Sequence, residues 1–156
     1  LAPAGERTEG LPLLRGPSEG EDIVADYRAL GFTLGRHPLA LLRTRLAADG
    51  WLTAAEVAEL ADGAPLSTGG IVVTRQRPGS ASGVIFVTLE DETGYVNLVV
   101  WSRIADEHRR AMLDARLLGV RGRLQREGEV RHVLVDALED RSALLGSLAA
   151  RARSFR

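Results

Sequence analysis

The chain has 156 residues, a net charge of −1 and 45% hydrophobic content, with no Cys. That length suits one domain with an appendage, or two very small ones. It excludes disulfides, thiolate metal sites and Cys nucleophiles, and no apolar run approaches the length needed to span a bilayer.

No secretory pattern opens the chain, so a cytosolic protein with no membrane partner is expected. A start at Leu1 rather than Met is expected of a fragment. Charge is unevenly spread: residues 1–66 carry six Arg against ten acids, residues 67–141 eleven of each, and residues 142–156 three Arg and no acid. No stretch is basic enough to bind nucleic acid tightly through charge alone. All 20 basic residues are Arg. Arg suits phosphate and stacking, but GC-rich codon usage explains the bias as well.

Residues 1–20, rich in Gly, Pro and Glu, read as a linker or flexible segment. A helical segment is expected over 21–66. Ser18-Glu19-Gly20-Glu21 is a capping box for a helix through about Leu30. Pro38 suits the first turn of a second helix, which runs to about Ala48 with Leu39, Leu42 and Leu46 as its apolar stripe. Thr53-Ala54-Ala55-Glu56 opens a short third helix that ends before Gly63.

Strands are expected at Ile71–Arg77, Val84–Glu90, Tyr95–Trp101, Arg116–Arg126 and Val130–Leu138. The second and third form a hairpin around Glu90-Asp91-Glu92-Thr93-Gly94. A helix from Ser102 to about Ala115 separates strands three and four. This β-β-β-α-β-β order over 67–141 predicts a mainly β domain, a five-stranded OB-fold Greek-key barrel with a helix between strands 3 and 4. With the preceding helices the chain is α+β overall. Residues 142–156 form an Arg- and Ala-rich tail, either a weak helix or disordered.

Alternation points Ile85, Val87 and Leu89 into the barrel and Phe86 outward. Tyr95 and Asn97 share one face of the next strand, and Arg121 and Arg123 one face of the fourth. Arg75 and Arg77 flank the loop between strands one and two, which often closes over ligand in this fold. Stacking rings, an amide and cations together suit single-stranded nucleic acid. The competing reading makes Phe86 core and the Arg residues a solvated face. Trp101, at a strand end, is expected to plug the core. The carboxylates of Glu90, Asp91 and Glu92 point in different directions, so turn chemistry at Asp91 is expected rather than a metal site. The three His lack metal-ligand spacing, and His37 is placed to cap the second helix. Neither Gly69-Gly70 nor Gly79–Gly83 matches a phosphate-cradling pattern.

Several segments resemble a known family. Asp26–Leu39 resembles the stretch after the helix-hairpin-helix region of bacterial C-family DNA polymerase III alpha subunits. Thr74–Pro78, Phe86–Gly94 and Val96–Trp101 resemble their C-terminal OB domain, and with Leu117–Gln125 look most like the error-prone, damage-inducible branch. The resemblance spans about 18–141. It implies an accessory module that contacts single-stranded template DNA, in a parent that is a DNA-directed DNA polymerase active in translesion synthesis and DNA repair. The parent's palm domain, with its aspartates and Mg²⁺, has no counterpart in this chain, so no catalytic residue and no cofactor is expected here. Implied partners are an inactive Y-family polymerase homologue and a recombinase-like protein, in the cytoplasm at the nucleoid. Strand two is also similar to the anticodon-binding OB domain of class II aminoacyl-tRNA synthetases, whose Phe at the place of Phe86 stacks on a base. Asn97 sits where those domains carry a base-reading Gln. The implied nucleic-acid contacts are Phe86 and Tyr95 by stacking, Asn97 to a base edge, and Arg75, Arg77, Arg121 and Arg123 to phosphates. A protein-docking module that recruits the polymerase, with little DNA binding of its own, is the rival reading. A tRNA-binding appendage leaves Gly35-Arg36-His37-Pro38 unexplained.

Overall fold

The structure, a computed structural model, describes residues 35–77 and 83–154, with side chains to 151. The expected linker at 1–20, the helix ending near Leu30 and the loop at 78–82 lie outside the described residues.

Apolar alternation in β2 (Val84–Asp91) and β3 (Gly94–Trp101) folds them into the expected hairpin. Asp91 pairs with Gly94, leaving a two-residue turn. The turn is held by Asp91 Oδ1, which accepts from the Thr93 amide at 2.7 Å, its hydroxyl at 2.8 Å and the Gly94 amide at 3.1 Å. Gly94 adopts φ +151°, which L side chains rarely do. With β1 (Pro65–Gln76), β4 (Leu117–Glu127) and β5 (Val130–Asp140) these strands close a barrel in the order β1-β2-β3-β5-β4. This is the OB-fold. Neighbours pair antiparallel except β3 and β5, which pair in parallel at Leu98↔Val133 and Val99↔Leu134. Ile85, Val87 and Leu89 point inward as expected and are buried with Leu98, Val100 and Val133.

β1 begins six residues before the expected Ile71. Its Gly69-Gly70 resembles a turn in sequence, yet lies within the strand because the Trp51 ring occupies the space of a side chain. A Cβ on Gly69 would lie 2.3 Å from that ring, and one on Gly119 of β4 would lie 2.5 Å from it.

Helices α1 (Pro38–Ala48) and α2 (Ala54–Ala58) start as expected. His37 Nδ1 accepts from the Leu39 amide at 3.0 Å, and the Thr53–Glu56 capping box is complete. The single helix expected after Ser102 is two, α3 (Ser102–Glu107) and α4 (Arg109–Asp114), broken at His108 with φ −119° and ψ 42°. The tail forms a helix, α5 (Ser142–Ser154). Leu39, Leu42 and Leu46 of α1 meet Leu145 and Leu148 of α5 over Trp51, Ile71 and Leu117 in a second apolar cluster outside the barrel. Arg141 covers the Trp51 ring at 5.5 Å and donates to Asp49 at 2.7 Å. The helices thus cover the outer surface where β1 meets β4.

Candidate nucleic-acid interface

With that side covered, the outer surface of β2, β3 and β5 is left open by the described helices. Strand register sets which side chains share it. Gln76 pairs with Phe86, Phe86 with Val99, Val99 with Leu134, and Leu134 with Arg123. At roughly 4.8 Å per strand, this row carries the surface from Phe86 to Arg123 over about 14 Å. The next row holds Thr74, Thr88 and Asn97. His132 stands one step before Val133 as Asn97 stands one step before Leu98, so the two are neighbours across the parallel pair, and Gln125 pairs with His132.

The expected residues divide. Phe86 points outward and is half-buried, its ring 6.4 Å from that of His132 and tilted by 52°. Tyr95 is 60% exposed on the same side of β3. Asn97 is exposed, and its Oδ1 accepts from the Thr88 hydroxyl at 3.2 Å, which leaves the Nδ2 donors facing solvent. Arg121 and Arg123 are exposed on the outer face of β4, beyond the part the helices cover. Arg77 is exposed just past the end of β1.

Arg75 is the correction. It pairs with the inward-facing Val87, so its guanidinium turns into the end of the barrel. There Nε donates to the Met112 carbonyl at 2.7 Å and Nη2 to that of Ala115 at 2.5 Å. Burial pulls its pKa down to about 10. These bonds hold the end of α4 to the barrel and turn Arg75 away from the outer face. A bulge between Val72 and Thr74 shifts the alternation of β1, so residue spacing alone places it poorly.

Trp101 is the second correction. It is 50% exposed rather than a core plug. Its partner is Val84, so it stands on the same outward side as Phe86. His132 was passed over as well, although simple alternation from the buried Val133 places it outward.

The acidic turn is scaffold. Asp91 is 5% exposed, and its Oδ2 accepts from the Ala54 amide at 2.7 Å. Glu92 accepts from Arg43 Nε and Nη2, both at 2.7 Å. Burial alone would raise the Glu92 pKa, but the Arg43 hydrogen bonds outweigh it and hold the carboxyl below its usual range. These contacts tie α1 and α2 to the hairpin. No cluster of metal-ligating side chains occurs among the described residues.

Residues 67–141 match the family model of the OB-fold nucleic acid binding domain. Nearly the whole chain is similar to part of much longer proteins. It is 56% identical to an error-prone DNA polymerase of Alkalilimnicola ehrlichii over 94% of the chain, and 56% identical to one of an Azoarcus species over 99%. The chain matches a segment of the error-prone DNA polymerases. It spans only 14% and 15% of the length of those two curated relatives. Among solved structures, asparaginyl-tRNA synthetase from Pyrococcus horikoshii is similar at 27% identity and TM-score 0.48, covering 57% of this chain and 22% of that one. The matching segment has α1 and α5 packed on the outside of the OB barrel, while Ala54 and Val57 of α2 join the barrel core, and no helix among the described residues is long and apolar enough to cross a membrane.

Proposed function

We propose that this chain is the template-binding module of an error-prone DNA polymerase, gripping single-stranded DNA on the open face of its barrel during translesion synthesis. One observation supports the reading: Phe86, Tyr95, Trp101, Asn97 and His132 share a broad surface that the described helices leave uncovered. Base–aromatic stacking contributes roughly 1–3 kcal/mol per base and tolerates any sequence. Arg121 and Arg123 lie on the β4 side and Arg77 on the β1 side, where a strand crossing the face brings its phosphates. Eleven Arg balanced by eleven acids in 67–141 imply weak, salt-sensitive binding, suited to a module tethered beside an active site. Mg²⁺-dependent polymerisation belongs to another part of the parent.

The test is fluorescence anisotropy of labelled single-stranded DNA at low and moderate salt. Wild type is expected to bind weakly at low salt, and Phe86→Ala to lose several-fold or more. No binding by wild type at low salt would overturn the reading. A second reading draws on the exposed apolar side chains of Tyr95, Trp101 and Val130. Such groups also anchor protein interfaces, and here the partners would be the inactive Y-family homologue and the recombinase-like protein. A pull-down with those proteins, using Trp101→Ala as the control, tests it.

A further inference from the structure

β3 and β5 pair at only two positions, and toward Tyr95 and Arg131 the strands part. The gap is a groove of about 170 Å³ roofed by α2. Its walls are apolar, from Val57, Leu124 and Val133, and its rim is polar, from Asn97, Glu129 and Arg131. Drug-sized ligands occupy roughly 300–1,000 Å³, so this groove suits one small flat group. Arg131 Nε is buried there without a hydrogen-bond partner among the described residues. The side chain as a whole is only partly buried, so its guanidinium is a donor at the groove's rim for an incoming acceptor. Asn97 adds a second donor, because Thr88 already holds its oxygen. Glu129 adds an acceptor and disfavours a phosphate.

We propose that this groove is a base-reading subsite, and that it prefers cytosine. The inference rests on the reading of the open face as a DNA-binding surface. Cytosine is the smaller of the two bases whose pairing edge joins an exocyclic amino group to a carbonyl. Its amino group donates to Glu129, a pairing found where proteins read cytosine. Its ring nitrogen and carbonyl accept from Arg131 and Asn97. Thymine presents no amino group to the carboxylate and leaves Glu129 unmatched. A strand stacked on Phe86 and Trp101 would thus drop one base past Asn97 into the gap.

The experiment compares labelled oligo-dC and oligo-dT of equal length at one salt concentration and pH 7.5, using the 156-residue chain. Wild type is expected to favour dC by roughly ten-fold. Glu129→Gln and Asn97→Ala should each shrink the dC:dT ratio toward one. Phe86→Ala should weaken both oligomers and leave the ratio in place. Equal wild-type affinity for dC and dT overturns the subsite while leaving the DNA-binding face intact, and so does a ratio unchanged in both variants. Failure to bind either oligomer overturns the face itself. Thermal melting of each variant confirms that it is folded, and Glu129, exposed on a turn, is the variant least able to disturb the barrel.

Discussion

Phe86 and Arg75 lie on neighbouring strands, and the fold turns Phe86 outward and Arg75 into the end of the barrel. Phe86→Ala removes a ring that lines the outer face, so it is expected to cost roughly 1–3 kcal/mol of DNA affinity with little loss of thermal stability. Arg75→Ala should do the reverse. It strips the Met112 and Ala115 carbonyls of a charged donor. Hydrogen bonds to charged groups are worth about 1.5–3 kcal/mol each, so a clear fall in melting temperature is expected. The salt dependence of DNA binding by the folded protein should not change. Arg123→Ala, exposed and outward, is expected to keep its stability and reduce the slope of log affinity against log salt by about 0.7. Phe86 was legible in the sequence because β2 alternates without interruption. Arg75 was not, because the bulge before it reverses which spacing points inward. Trp101 was misread for a related reason: a strand-end ring is core or surface depending on what covers it, and none of the described helices covers Trp101, which is 50% exposed.

Among the elements, the barrel order was legible and the packing between helices and barrel was not. Five apolar strands and a helix between the third and fourth are local patterns. The contact of α1 with α5 joins stretches about a hundred residues apart, and it depends on Gly69 and Gly119 making room for one tryptophan. Gly119→Ala is expected to force the Trp51 ring out and destabilise the protein by about 1–3 kcal/mol, read by thermal melting and Trp fluorescence. The α1–hairpin contact predicts a pH dependence. Glu92 has its folded pKa lowered. Its contribution is therefore present above the unfolded value, about 4.3, and is lost as pH falls through the lower folded value. Arg43→Met should lower stability at pH 7, and the gap to wild type should narrow as pH falls below the unfolded value of Glu92 and through its lower folded value.

For the molecule as a whole, the proposed function rests on which side of the barrel is covered. Helices α1 and α5 bury one side of the barrel, and among the described residues the other side carries the exposed Tyr95 and Trp101. Family resemblance in the sequence pointed to DNA, and under the proposed function the uncovered half of the barrel is the half that meets it. Amide chemical shifts during titration with single-stranded DNA report that surface most directly. Perturbations are expected to gather on Phe86, Asn97, Val99, Trp101, His132 and Leu134. Perturbations confined to α1 and α5, or none at saturating DNA and low salt, would contradict the assignment of the open face as the DNA-binding surface.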